Sequence, residues 1–277
     1  WSTGISSTVS EEKSVVALVL ENVDCHHGNT KVLHDICIAV SAGCTALIGA
    51  NGAGKSTLLR LCAGEGRYLH GLKPDGEIFL NGTPLASWPL QDLAKRRSFL
   101  PQQHADQLHG CVRDIMCLAM YPHGGGGDHA VALYQQALSI WELDSLACRH
   151  YDDLSGGERQ RVQLARTWLQ MRLHPIASER LWLLDEPQTA LDLPHQRRLR
   201  DHLRQESAEG ATVFFSTHDI NFALRTADRL IALRNGVLCA DASPDDFSDK
   251  ALLERIFDVP FYVTHHPVDG RPWVMAE

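Results

Sequence analysis

One stretch constrains this chain more than any other: Gly49-Ala50-Asn51-Gly52-Ala53-Gly54-Lys55-Ser56. It fits GxxxxGK[ST] without a mismatch. It lies between a short apolar run, Thr45–Ile48, read as a strand, and Lys55–Ala63, read as a helix. Glycines at these positions let backbone N–H groups wrap phosphate oxygens, and the helix N-terminus adds a favourable dipole. Lys55 is expected to reach the β- and γ-phosphates and the Ser56 hydroxyl to ligate Mg²⁺, with Thr57 counted in the same binding loop. The pattern implies a nucleoside triphosphate as ligand.

A second segment supplies what a phosphate loop lacks. Leu181-Trp182-Leu183-Leu184 reads as a buried strand that delivers Asp185 and Glu186 at its carboxyl end. Asp185 is placed to hold Mg²⁺, and Glu186 to orient and polarise an attacking water. Adjacent carboxylates are commonly just solvated surface. Their position after an apolar strand, in a chain that also carries a phosphate loop, favours the catalytic reading.

Composition narrows the class. The 277 residues are 44% hydrophobic and 22% charged, the balance of an ordinary globular chain. Lys and Arg number 26 against 34 Asp and Glu, a net charge of −8, which weighs against a nucleic-acid binder. No apolar run approaches the roughly 18–20 residues of a membrane helix, and no signal peptide is evident, so a soluble, cytosolic chain is expected. The eight cysteines form no CxxC pair and are expected as reduced thiols; the 15 histidines are expected mostly as exposed polar groups.

Residues 1–14 read as a flexible tail and 15–241 as the main domain, with 242–277 as a C-terminal appendage. Val15–Val23 and Lys31–Val40 read as strands around a polar turn at His27-Gly28-Asn29, and Glu77–Leu80 before Asn81-Gly82 as a hairpin end. Residues 103–171 read as a helical subdomain broken at Gly124–Gly127. Alternation resumes with the acidic strand, a helix from about Pro194, the strand Val213–Ser216 and a helix from about Asp219. The expectation is an α/β fold: a mostly parallel core sheet of P-loop NTPase type, an antiparallel β subdomain and an inserted helical subdomain.

Between these halves lies Leu154-Ser155-Gly156-Gly157-Glu158-Arg159-Gln160, which closely resembles the LSGGQ signature of ABC transporter ATP-binding subunits. Gln102 in Phe99-Leu100-Pro101-Gln102 matches that family's Q-loop, Asp185-Glu186-Pro187 through Ala190-Leu191-Asp192 its D-loop, and His218 its switch histidine. The resemblance implies a head-to-tail homodimer burying two ATP. In it, Ser155 and Gly157 would meet the γ-phosphate bound by the other subunit, with Gly156 and Glu158 counted in the same nucleotide site. His218 would hold the γ-phosphate and keep Glu186 and the water aligned; Gln102 would sense Mg²⁺ and the water; Asp192 would couple the two sites. His27, with His26 as alternative, stands where the family carries an adenine-stacking aromatic residue. Gln188 replaces the usual Thr of the D-loop and Glu158 the usual Gln of the signature.

The resemblance further implies separate transmembrane permease subunits, a periplasmic substrate-binding protein acting indirectly, no nucleic acid, and residence on the cytoplasmic face of the inner membrane. Gln102–Pro122 would receive the permease, with Leu108, Val112, Ile115 and Met116 equally readable as groove lining or as core. The strings Leu191–Gln196, His218–Asn221, Tyr121–His123, Phe257–Pro260 and His266–Pro267 resemble the subgroup importing haem, iron–siderophores and cobalamin. The segments Gly64–Gly76 and His174–Arg180 favour haem within it. An assembly-scaffold ATPase of the iron–sulfur type shares the phosphate motifs and is the alternative. Repair and translation ATPases fit less well, for want of a long insertion or a second such domain.

Overall fold

The computed structural model describes residues 16–67, 72–102, 108–268 and 270–277. The tail 1–14, Val15, part of Gly64–Gly76 and the first residues of 103–171 lie outside these. Two sheets sandwich one helix. Strands β1 (Val16–His27), β2 (Thr30–Ser41), β4 (Leu72–Leu80) and β5 (Thr83–Pro84) form an antiparallel sheet in the order β2-β1-β4-β5. β3 (Gly43–Ile48), β6 (Arg97–Leu100), β7 (Leu181–Asp185), β8 (Thr212–Ser216), β9 (Arg229–Arg234) and β10 (Val237–Ala242) form the central sheet, ordered β10-β9-β3-β8-β7-β6. All its neighbouring pairs are parallel except β9–β10.

Central strands are buried on both faces, which is why β7 and β8 read as continuous apolar runs rather than alternating ones. Trp182, Leu184, Val213 and Phe215 face one core, while Leu181, Leu183 and Phe214 face the other. The second core is shared with the antiparallel sheet and with helix α1 (Lys55–Cys62), whose Leu58, Leu59, Leu61 and Cys62 are buried between the layers.

The first strand runs on to His27, so the polar turn is confined to Gly28 and Asn29, and the expected end at Val23 falls mid-strand. Beyond β6 lie α2 (Leu90–Arg96, preceding it), α3 (Val112–Cys117), α4 (Asp128–Ile140) and α5 (Gly156–Arg172). The break at Gly124–Gly127 is real: Gly124 and Gly125 have φ of 83° and 96°, and α4 starts directly after Gly127. Val112, Ile115 and Met116 are fully buried core residues, with partly buried Leu108 packed against them. This side of the sheet exposes Leu90, Leu118 and Tyr121 instead.

Helices α6 (Leu193–Ala208) and α7 (Ile220–Thr226) are started by Asp192 and Asp219, whose carboxylates accept from His195 N and Phe222 N. Each cap is worth about 1 kcal/mol. The C-terminal segment, α8 (Lys250–Phe257), β11 (Phe261–His265) and β12 (Pro272–Ala276), packs into the main core through Phe247, Leu253, Ile256, Phe261 and Val274. The 241–242 boundary expected from sequence falls on the last residue of β10. Asn221 exchanges two hydrogen bonds with the Val274 backbone, fastening β12 to α7. Among the described residues no helix is long and apolar enough to cross a membrane.

Candidate functional site

Strand register assembles the site. Leu47 of β3 and Asp185 of β7 both pair with Ser216 of β8, so the phosphate loop leaves the sheet beside the acidic strand end. Gly49 sits at φ 147°, and a Cβ there would stand 2.2 Å from the carbonyl oxygen of Leu233. Gly54 at φ 103° lies against Leu33 and Val32 of β2, so the antiparallel sheet buttresses the loop. Lys55 is buried, and its Nζ donates to the carbonyls of Gly49 (2.8 Å) and Ala50 (3.0 Å). Burial lowers its pKa, and the nearby Glu186 and Asp185 carboxylates oppose that shift. Among the described residues this buried ammonium donates hydrogen bonds to two loop carbonyls alone, which leaves it ready for an anion above them.

Asp185 is 1% exposed. Its Oδ1 accepts from Ser216 Oγ at 2.5 Å, while Oδ2 is buried with no partner among the described residues. The same Ser216 hydroxyl accepts from the backbone N–H of Glu186 at 3.0 Å. Glu186 adopts φ 50°, a left-handed conformation fixed by this bond and by N–H donation to Ser216 O. Its Oε2 lies 3.2 Å from His218 Nδ1 and accepts a long bond (3.4 Å) from Thr189 Oγ1. Glu186 is thus almost buried, whereas the His218 side chain is more than half exposed.

The site residues expected from sequence are only partly gathered. Lys55, Asp185, Glu186 and His218 form one cluster, and Ser56 and Thr57 open α1 beside it. Gln102 follows β6, which pairs with β7 as far as Leu100 and Leu184; it is exposed, and among the described residues no hydrogen bond or ion pair joins it to the carboxylates. His27 is exposed at the tip of β1.

Ser155 caps α5. Its N–H and Oγ both donate to Glu158 Oε2 at 2.8 Å, and its Oγ accepts from Glu158 N, so Glu158 closes a capping box. Gln can close the same box, so the change from the usual Gln to Glu158 keeps this role. A Cβ on Gly157 would lie 2.9 Å from Ala190 O, and Gln160 Nε2 donates to Pro187 O at 2.8 Å, so the signature helix rests on the loop after Glu186. Asp192 at that loop's end is engaged as the α6 cap, and its Oδ1 lies 2.5 Å from His195 Nδ1.

Three residues were not singled out as site residues from sequence. Ser216 reads from the sequence only as a strand terminus; the register of β8 on β7, not any local signal, sets its hydroxyl beside Asp185. Gln160 was read only as part of the signature string. Thr217 accepts from Gln188 Nε2 at 2.5 Å, so the departure at Gln188 joins the loop after Glu186 to the residue preceding His218.

The residues fit a divalent cation together with a phosphate chain. The unpartnered Asp185 Oδ2 is an oxygen donor suited to such a cation. Among the described residues no group of three His, Cys, Asp or Glu could hold a metal unaided, so its remaining ligands would be hydroxyl, water and phosphate oxygens.

Residues 33–189 match the sequence profile of the ABC transporter family, more than half of the chain. The hemin import ATP-binding protein HmuV of Plesiomonas shigelloides is 34% identical over 91% of this chain and 98% of its own length. HmuV of Pseudomonas putida is 36% identical over 94% and 99%. A solved ATP-binding subunit of an ABC transporter superposes with a TM-score of 0.69 at 26% identity, over 83% of this chain and 91% of that one. A metal-chelate type ABC transporter in an inward-facing conformation gives 0.72 at 24% identity, over 95% and 98%. The chain belongs to the ATP-binding family of ABC transporters. It is an ATPase whose hydrolysis serves transport.

Proposed function

We propose that this chain is the ATP-hydrolysing subunit of a haem importer, working as a head-to-tail homodimer on the cytoplasmic face of the inner membrane beneath two separate permease subunits. A periplasmic binding protein would engage only indirectly. Similarity to two hemin import ATP-binding proteins along nearly their whole length supports the substrate. The observation carrying the mechanism is the Asp185–Ser216–Glu186–His218 chain next to the buried Lys55.

Residues 49–57 cradle the phosphates, with the Lys55 ammonium leaving the Gly49 and Ala50 carbonyls for phosphate oxygen. Mg²⁺, when bound, neutralises charge on the β- and γ-phosphates; Ser56, Asp185 and Gln102 are the residues assigned to it. Glu186 accepts the proton of the attacking water. His218 holds Glu186 by the Nδ1 contact and offers Nε2 to the γ-phosphate. Ser155, Gly156, Gly157 and Glu158 present a helix N-terminus to the γ-phosphate held by the other subunit. Asp192 links the two sites by fixing the start of α6, and His27 stacks on adenine. The division into a domain of residues 15–241 and an appendage of 242–277 belongs to the same reading, with 103–171 as the subdomain facing the permease.

The test is uptake of haem, a ferric siderophore and cobalamin in cells lacking the chain, complemented by wild type or by Glu186→Gln. Loss of haem uptake alone, restored only by wild type, is expected. Loss of another uptake would replace the substrate and keep the motor. No loss in any would favour the scaffold reading.

A further inference from the structure

Gln188 is 4% exposed, and its side chain crosses from the loop after Glu186 to the end of β8. There its Nε2 meets Thr217 Oγ1 at 2.5 Å. Thr217 is fully buried and tethered twice more. Its N–H donates to Leu47 O near the end of β3, and its hydroxyl accepts from Asp219 N at 3.0 Å. The residue between Thr217 and Asp219 is His218.

His218 depends on those tethers. Its side chain is more than half exposed, and among the described residues its ring meets one charged partner, Glu186 Oε2 at 3.2 Å. Packing therefore does little to aim the imidazole, and the backbone on either side of it must. Glu186, Gln188, Thr217 and His218 close a ring. The chain itself joins Glu186 to Gln188 and Thr217 to His218, and the two side-chain contacts complete the circuit.

Stability alone is a poor reason for this contact. Gln188 Oε1 is buried with no partner among the described residues. An unpaired buried acceptor costs at least as much as one neutral hydrogen bond returns, so an apolar side chain of equal length would serve the fold as well. The Thr usual at this position ends two bonds nearer the backbone than the amide nitrogen does, so the reach to Thr217 belongs to the glutamine.

We propose that Gln188 is a positioning residue of the ATPase reaction: through Thr217 it holds His218 in register with Glu186 before nucleotide arrives. This rests on the roles given above to Glu186 and His218. Among the described residues the Gln188 amide bonds neither the phosphate loop nor the two carboxylates, so it acts on the rate of the chemical step and not on nucleotide affinity. Misplacing a group at a reacting centre by about 1 Å can cost about 100-fold in rate.

Steady-state ATPase assays and thermal melts of the full-length chain carrying Gln188→Met, Thr217→Val or both test this, with Glu186→Gln as control. Met keeps the length of the side chain and removes its hydrogen bond. In Gln188→Met, kcat should fall about tenfold or more, with KM for ATP within about twofold and the melting temperature within about 4 °C of wild type. Thr217→Ser keeps the hydroxyl and should retain most of the rate. Thr217→Val also frees Asp219 N, so its own loss should be the larger. The double variant should then be no slower than Thr217→Val, because both changes break one contact. Losses that multiply would separate the two residues and overturn the proposal. So would a loss confined to KM, or a rate loss that tracks a lowered melting temperature. Wild-type kcat in Gln188→Met beside an inactive Glu186→Gln would strike this inference and leave the roles of Glu186 and His218 standing. Wild-type hydrolysis by Glu186→Gln would overturn those roles and the proposal with them.

Discussion

Ser216 Oγ stands 2.5 Å from Asp185 Oδ1 at the carboxyl ends of two adjacent parallel strands, and the same oxygen accepts the backbone N–H of Glu186 at 3.0 Å. One hydroxyl thereby orients the carboxylate assigned to Mg²⁺ and fixes the backbone of the carboxylate assigned to water. Ser216 is a positioning residue, acting through both. Replacing it with Ala leaves a buried carboxylate oxygen without a partner, a cost of about 1–3 kcal/mol, and leaves the Glu186 N–H with only its bond to the residue 216 carbonyl. We expect Ser216→Ala to melt lower, to hydrolyse ATP at least tenfold more slowly and to need more Mg²⁺ for half-maximal rate. Ser216→Thr should restore most of the Mg²⁺ response. ATPase rates across a Mg²⁺ titration decide it: a slower rate with an unshifted Mg²⁺ requirement would assign Ser216 to the fold alone.

How much of this was visible beforehand follows from which interactions are local. The phosphate loop, the acidic strand end and the signature are each contiguous strings, so spacing alone exposes Lys55, Glu186 and Ser155. The parallel sheet was equally legible, because strands buried on both faces read as unbroken apolar runs such as Leu181–Leu184. Ser216, Thr217 and Gln160 act through partners some 30 positions away, and only the register of β7 on β8 brings the first two to the site. The extension of β1 to His27 escaped for a related reason. Asp24, His26 and His27 break the apolar run, and cross-strand pairing with β2 and β4, the buried Cys25 and the Asp24–Lys31 ion pair hold this end of the strand.

Glu186→Gln preserves volume and the His218 neighbour while removing the proton acceptor. Turnover should fall by about 10²–10⁴-fold with ATP binding retained. Single-turnover hydrolysis and nucleotide titration check both halves; hydrolysis at wild-type rate would remove Glu186 from the base position.

Gly157→Ala probes the seat of the signature helix. Its Cβ would approach Ala190 O to 2.9 Å, and Ala190 itself is held at φ 63°, leaving that carbonyl little freedom to retreat. The signature should shift while the phosphate loop stays intact. Nucleotide binding by the monomer is expected within about twofold of wild type, with the ATP-dependent dimer lost in light scattering. A normal ATP dimer would contradict the placement of Gly157 against the other subunit.

Acid stability should depend on three histidines. Burial lowers the pKa of His123, His174 and His202 below the ordinary value of about 6.5. Glu179 at 3.1 Å from His174 Nε2 opposes the shift, and Arg96 and Arg180 add to it. Beside His202 the cation of Arg198 adds to the burial effect. A base whose folded pKa is depressed holds fewer protons folded than unfolded between the two values. Stability therefore rises with pH through that interval and is lost as pH falls below about 6.5. Burial raises the pKa of Glu65 and Glu206, which act in the opposite direction at lower pH, so the informative quantity is a difference between profiles. From pH 7.5 to 5.5 the melting temperature of wild type should fall more steeply than that of His123→Gln/His174→Gln/His202→Gln. Parallel profiles in differential scanning calorimetry would show that these imidazoles do not control the acid limb.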